Sequence, residues 1–254
     1  MQNSYKTKKK LSVALCIRNE EEKLKKCLDA LTFADEIIIL LDDCTDNSKE
    51  IAKRYTKKII EGRWPIEGDR RNLAIKNCKN NWILEVDADE IVSKSLAMEV
   101  KETIQKSKND WHPIRVNNHI GDRLIKFGWG CYIGKGQYAG LFRNGFKIWG
   151  SQRVHPKIEL KGSSGLILKK PLDHFVDNDI KDMFNRLNAY TDARALDIRD
   201  NNDGGNFLGN VKRIFSRFFK CYFLRKGYKE GRYGFFIALC AGLYPIWSYL
   251  KAKK

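Results

Sequence analysis

Trp82-Ile83-Leu84-Glu85-Val86-Asp87-Ala88-Asp89-Glu90 is the stretch on which the reading of this chain turns. A short, mainly apolar run that stops at a cluster of acids is the mark of a strand buried on both faces, the type found in parallel sheets covered by helices. Outward from it, Leu11–Ile17 and Ile37–Leu41 are runs of the same kind, ending in Arg18-Asn19-Glu20 and Asp42-Asp43. Between them the apolar spacing is helical, with Leu24, Cys27, Leu28 and Leu31 on one face of residues 20–31. Residues 46–55, 69–78 and 93–104 read as further helices and 58–61 as a brief strand. Buried strands alternating with helices predict an α/β fold, a doubly wound and mostly parallel sheet. Ligands of such sheets sit beyond the carboxyl ends of the strands, at the topological switch point.

From residue 111 to 175 glycine, tryptophan and tyrosine become frequent. Short alternating pieces at 114–118 and 165–168 predict an antiparallel extension of the sheet, with Lys169-Lys170-Pro171 as a turn. Residues 177–199 read as a helix, and 200–205 as a polar, glycine-containing linker. Beyond it, residues 207–224 put Phe207, Val211, Ile214, Phe215, Phe218 and Tyr222 on one face of a helix and Lys212, Arg213, Arg217 and Lys220 on the other. Residues 234–250 carry no charge and are interrupted by Pro245. The expected organisation is a domain over 1–200, in halves 1–110 and 111–200, with a basic, aromatic C-terminal helical appendage over 206–254.

Of 254 residues 43% are hydrophobic, enough to bury a sizeable core and to exclude intrinsic disorder. The net charge of +17 points to a polyanionic partner: nucleic acid, a phosphorylated substrate or an anionic membrane. That charge is concentrated late, since residues 205–254 hold eleven Lys/Arg against the single acid Glu230. Seven cysteines without a C-x-x-C pair argue against a disulfide framework or a zinc finger and for a reducing cytosol. The apolar run after Lys8-Lys9-Lys10 is too short for a secretory signal.

Acids at three strand ends of a strongly basic chain demand an explanation. Asp87 and Asp89, at alternate positions after a strand, both reach past the sheet edge and can hold a hard divalent cation, Mg²⁺ or Mn²⁺. Such ions take one or two carboxylates plus substrate phosphates, which suits a nucleoside-diphosphate substrate. An isolated D-x-D is more often a solvated turn and helix cap. Directly after a buried strand, and beside two other acidic strand ends, the metal reading is the stronger one.

The combination of Leu11…Asn19-Glu20, Ile38…Asp42-Asp43…Thr45-Asp46, Arg71-Asn72…Ala74 and Trp82…Asp87-Ala88-Asp89-Glu90 resembles the family 2 glycosyltransferases with the A-type nucleotide-diphospho-sugar transferase fold. Arg153-Val154-His155-Pro156, Gly162, Leu172…His174, Tyr190…Ala193 and Gly227-Tyr228…Gly231…Gly234 extend the likeness to the bacterial lipopolysaccharide-core β-glucosyltransferase branch. The resemblance implies metal-dependent, inverting transfer from a nucleotide-sugar, foremost a UDP-sugar, to a saccharide or lipid-linked acceptor in lipopolysaccharide-core or envelope glycan synthesis. It places Asn19 and Glu20 at the nucleotide loop, Asp42 or Asp43 against uracil or ribose, and Arg71 near base and pyrophosphate. Asp87 and Asp89 become the metal pair, and His174 either a further ligand or a core residue. The stretch 42–46 is one residue shorter than the family's D-x-G-S-T-D, so both aspartates stay candidates. Pro156 stands where some relatives carry Glu. Inverting transfer needs a base for the acceptor hydroxyl and charge stabilisation on the departing diphosphate. His155 and Glu159 are the candidates for the base, and the divalent cation with Asp87 and Asp89, helped by Arg153 or Arg71, supplies the charge stabilisation.

Two other classes compete. A nucleic-acid-binding protein would explain the charge, but no RNP, KH, zinc-finger or helix-turn-helix signature is present, and no nucleic-acid partner is expected. A sugar nucleotidyltransferase would carry a glycine-rich basic loop after the first strand, where this chain has Arg18-Asn19-Glu20-Glu21-Glu22. The aromatic and basic faces of 207–224 predict an interfacial helix. It would hold the chain peripherally on an anionic membrane, at the cytoplasmic face of the inner membrane, without spanning it.

Overall fold

The structure is a computed structural model that describes residues 8–129, 134–153 and 156–254. The chain divides into two compact units. One takes the chain up to Arg115 with Gln137–Ser151 and Lys157–Asp173. The other takes Val116–Gly136, Gln152–Pro156 and His174–Lys254.

In the first unit the buried runs form four parallel strands in the order β3 (Ile59–Gly62), β2 (Glu36–Asp42), β1 (Leu11–Ile17), β4 (Trp82–Asp87). The sheet is apolar on both faces because both are covered. Val13, Leu15, Ile17, Ile39, Leu41, Leu84 and Val86 share one core cluster with Leu24, Cys27 and Leu28 of α1 (Glu21–Asp29) and Leu96, Val100 and Ile104 of α4 (Lys94–Lys106). Ala14, Ile38, Leu40 and Ile83 point the other way, onto Ala74 and Ile75 of α3 (Glu67–Lys76). Each buried Leu or Ile contributes ~1.5–3 kcal/mol relative to exposure, so this sandwich supplies the unit's stability. Register brings Cys16 opposite both Leu40 and Asp87, and Asp42 opposite Gly62. The carboxyl ends of β1, β2 and β4 therefore share one edge.

The expected antiparallel extension is present. β8 (Gln137–Arg143) runs antiparallel to β4, and β6 (Trp111–Ile120) antiparallel to β8, with a register shift between His112 and Ile114 where Pro113 lacks an N–H. The full order is β3-β2-β1-β4-β8-β6-β11-β5, in which β11 (Leu168–Asp177) lies between β6 and β5 (Glu90–Ile91), and β7 (Arg123–Ile125) pairs with β6 off this path. A separate ribbon pairs β9 (Lys147–Trp149) with β10 (Ile158–Leu160).

Two details depart from the sequence reading. Lys169-Lys170-Pro171 is strand rather than turn. The Glu99 carboxylate accepts the N–H groups of Lys169 and Lys170, both at 2.8 Å, Pro171 has none to place, and Leu168 and Leu172 are buried on either side. The helix expected over 46–55 shrinks to α2 (Ser48–Ala52), because Asp46 spends its carboxylate on the backbone N–H groups of Glu21 and Ser48.

The second unit is built on α5 (Ile180–Asn201), α6 (Phe207–Phe219) and α7 (Arg232–Ala252). Asp179 and Asn206 cap α5 and α6 by accepting from Asp182 N and Gly209 N. A π-helical turn, Lys220–Leu224, and a 3₁₀ turn, Gly227–Glu230, join α6 to α7. By length and composition α7 could cross a membrane, yet 56% of its most apolar stretch is buried. Ile237, Cys240 and Tyr244 share a core with Met183, Leu187, Ile120 and Ile125. The expected apolar face of 207–224 is split: Phe218, Tyr222 and Cys221 pack with Ala238 and Ala241 of α7, while Phe207 and Phe215 are exposed.

Gly68 at the start of α3 lets the helix lie directly on the end of β9, since a Cβ there would stand 1.9 Å from the Gly150 carbonyl oxygen. Gly68→Ala should cost ~1–3 kcal/mol by overpacking, read as a lower urea midpoint with unchanged slope.

Candidate active site

The loops after β1 and β2 are tied into one body. Asn19 and Asp43, immediately beyond these strands, adopt left-handed backbone with φ 53° and 52°. Non-glycine residues rarely do so, and such strain gathers at functional sites. Asn19 Oδ1 accepts from Thr45 N at 2.8 Å, and Ser48 Oγ accepts from Glu20 N at 3.0 Å. Asp46 Oδ2 takes Glu21 N, while Glu21 Oε2 takes Asn47 N at 2.9 Å.

The neighbouring aspartates of β2 have different jobs. Asp42 is buried, its Oδ1 accepting from Trp64 N at 2.9 Å and its Oδ2 from Arg70 Nη1 at 2.7 Å. It pins α3 to the strand. Asp43 is open to solvent, with only loose ion pairs to Arg18 at 3.8 Å and Arg63 at 3.6 Å.

Beside them lies a chain of buried charges. Arg71 on α3 donates to Glu67 at 2.8 Å and Glu85 at 3.1 Å and pairs with Asp87 at 2.9 Å, its guanidinium 4.7 Å above the Trp149 ring. Burial disfavours its charge, but the carboxylates of Asp87, Glu85 and Glu67 outweigh this and hold its pKa well above the ordinary value. Glu85 also accepts from Lys147 Nζ and from Trp149 Nε1 at 3.3 Å. The Lys147 side chain is 0% exposed and donates to Ala139 O at 2.9 Å. Asn72 fastens α3 to β9 by bonding both Trp149 O and Trp149 N.

Further acids gather at this edge, with Lys23 beside Glu20. Glu20 is pushed up to about 7, by burial first and then by the negative charges of Asp89 and Asp87. Glu90 is buried and turns back to accept from Asp87 N at 2.8 Å, shaping the turn that carries Asp89. Among the described residues no three His, Cys, Asp or Glu side chains form a cation cage. The donors offered, carboxylates in an excess of negative charge, fit a hard divalent cation that takes further oxygens from substrate phosphate and water.

The structure thus brings Asn19, Glu20, Asp42, Asp43, Arg71, Asp87 and Asp89 to one sheet edge of the first unit. Glu159 is not brought there: in β10 it stands opposite the exposed Ile148, on the ribbon face away from Lys147 and Trp149. In the second unit Arg153 is tied to α5 through Asp197, at 3.2 Å, and Asp200, and His174 Nδ1 meets Asn118 Oδ1 at 3.0 Å. His155 lies outside the described residues. Sequence reasoning overlooked Glu85, Lys147 and Trp149. An acid inside a buried strand was the available signal, because buried charge requires a partner; nothing local marked Lys147 as that partner.

Residues 12–126 match the family model for glycosyl transferase family 2. The chain carries a family 2 glycosyltransferase domain. The glycosyltransferase is 25% identical over 271 residues to the lipopolysaccharide core biosynthesis glycosyltransferase LpsC of Rhizobium meliloti, covering 96% of this chain and 91% of that protein. It is 23% identical over 241 residues to an uncharacterized glycosyltransferase of Rickettsia typhi, covering 89% and 81%. S. aureus TarS 1-349 in complex with UDP superposes with a TM-score of 0.47 at 14% identity, covering 73% of this chain and 65% of that one.

Lys147→Met should destabilise the enzyme by about 3 kcal/mol, because it removes one partner of a buried carboxylate. Glu85→Gln combined with it should recover part of the loss in chemical denaturation, a coupling that independent sites would not show. Glu20 gives a pH signature. A carboxyl whose folded pKa is raised from 4.5 to about 7 binds its proton more tightly folded than unfolded, so it withdraws stability as pH rises through that window. In EDTA, Glu20→Gln should melt at a temperature near the wild type at pH 4.5 and above it at pH 8.

Proposed function

We propose that this glycosyltransferase moves a sugar from a UDP-sugar, with inversion and in the presence of Mg²⁺ or Mn²⁺, to a saccharide or lipid-linked acceptor of the lipopolysaccharide core or cell envelope. The observation that carries the proposal is the placement of Asp87, Asp89 and Glu20 beside Arg71 at the carboxyl edge of the parallel sheet. Negative charge in excess there asks for a divalent cation, and Arg71 supplies fixed positive charge for a departing diphosphate. The tied loops after β1 and β2 present Asp43 as a hydrogen-bond acceptor for the nucleoside. Asp87 and Asp89 would hold the cation, which when bound supplies Lewis-acid neutralisation of the diphosphate. LpsC, named for lipopolysaccharide core biosynthesis and matched over nearly its whole length, supports the acceptor class. Peripheral attachment to an anionic membrane belongs to the same reading, since a lipid-linked acceptor is found at such a surface.

Thermal unfolding with UDP tests the donor side. At ~100 times its Kd a ligand adds ~2.7 kcal/mol, a visible rise in Tm. That rise is expected with Mn²⁺ and absent in EDTA. Asp89→Asn should abolish the cation-dependent rise and lower turnover by ~10²-fold or more. Full transfer activity in EDTA would overturn the proposal.

A further inference from the structure

The second unit leaves several large apolar side chains exposed. Phe215 is 71% exposed, Leu224 66%, Phe219 53% and Phe223 49%. Phe219 and Phe223 belong to one aromatic surface, Phe215 lies one helical turn before Phe219 on α6, and Leu224 follows Phe223 in the chain. Phe219 and Phe223 rings touch at 5.1 Å, Phe223 meets Tyr222 at 5.1 Å, and Tyr222 reaches Tyr228 at 6.4 Å and Phe235 at 6.1 Å. The patch therefore runs along the end of α6, through both turns and onto the first turn of α7. It is held rigidly from behind: Phe218 and Cys221 pack on α7, and Gly242 lets α7 approach the Ile214 carbonyl so closely that a Cβ would stand 2.8 Å from its oxygen.

Its rim is positive. Lys212, Arg213, Lys220, Lys226, Lys229 and Arg232 are all exposed. The single acid of the region, Glu230, is buried and consumed by Lys126 N at 2.8 Å, Phe127 N at 3.1 Å and the Arg123 guanidinium. No acidic side chain of residues 206–254 thus remains at the surface.

We infer that this aromatic face is the surface by which the glycosyltransferase seats on an anionic phospholipid monolayer, with Phe215, Phe219, Phe223 and Leu224 entering the acyl boundary and the cations meeting the headgroups. The inference deepens the membrane part of the proposed function and rests on it. Apolar side chains ringed by Lys and Arg are the make-up of interfacial helices. A second copy of the chain is the poorer occupant, because apposing two such faces sets cations against cations. α7 does not cross the bilayer in this arrangement. It lends Phe235 to the face and packs Ile237, Ala238, Cys240, Ala241 and Tyr244 within its own unit.

The test is flotation of the full chain with vesicles of phosphatidylcholine alone or with about 30% phosphatidylglycerol, in about 0.1 M salt where the Debye length is near 10 Å. The wild type should float with the anionic vesicles and remain below with the neutral ones. Phe215→Ser with Phe219→Ser and Phe223→Ser should weaken binding at least ~10-fold, and Lys212→Glu with Lys220→Glu and Lys226→Glu should erase the preference for anionic lipid. The Tm rise with UDP and Mn²⁺ is measured on the same samples. Its retention shows that the variants are folded, and its absence in the wild type would count against the donor reading alone. Wild-type protein left in the soluble fraction, aromatic variants that float as well as wild type, or a dimer in light scattering abolished by the same serine substitutions would overturn the inference.

Discussion

Glu85 is a carboxylate in the middle of a buried strand, and much of the site follows from meeting its needs. Stranded in an apolar sheet such a group would cost several kcal/mol, so partners must be brought to it. Lys147 arrives from β9, Arg71 from α3 and the Trp149 indole from the end of the ribbon. Lys147 neutralises Glu85 on one side, which leaves a second edge of the Arg71 guanidinium for Asp87. A core requirement is thereby converted into a fixed cation at the mouth of the sheet. Gly68, where no side chain fits, and Asn72, which bonds β9 twice, keep α3 close enough for the chain of charges to close.

The same edge carries the opposite excess a few residues away. Arg71 pairs with Asp87, whereas Glu20 is pushed up to about 7 by burial first and then by the nearby charge of Asp89. On the proposed reading, such an edge suits a ligand that brings both a divalent ion and phosphate oxygens. The strained backbone at Asn19 and Asp43 serves the same edge, since it holds two loops against each other before any ligand is present.

What could be read from the sequence was what depends on neighbours along the chain. Continuous apolar runs marked β1, β2 and β4 because both faces of those strands are covered. Acids at their ends marked the sheet edge on which the candidate site is proposed. What could not be read depends on distant contacts. Lys169-Lys170-Pro171 looks like a turn until the Glu99 carboxylate is seen taking its N–H groups. Asp42 and Asp43 are alike in sequence and differ only once Arg70 and Trp64 claim the first. The helical wheel of 207–224 grouped aromatic residues that α7 then divides into packed and exposed sets. Glu159 seemed available as a base until its strand pairing turned it to the other side of the ribbon.

The central claim is that the acidic edge of the parallel sheet takes a divalent cation jointly with a nucleoside diphosphate. Electron paramagnetic resonance of Mn²⁺ titrated into the full chain, with and without UDP, tests it most directly. The account expects weak Mn²⁺ retention alone and a much tighter, protein-bound signal once UDP is added, because phosphate oxygens complete what the carboxylates begin. UDP bound at full strength in metal-free solution, with Mn²⁺ remaining in its free aqueous form, would contradict it.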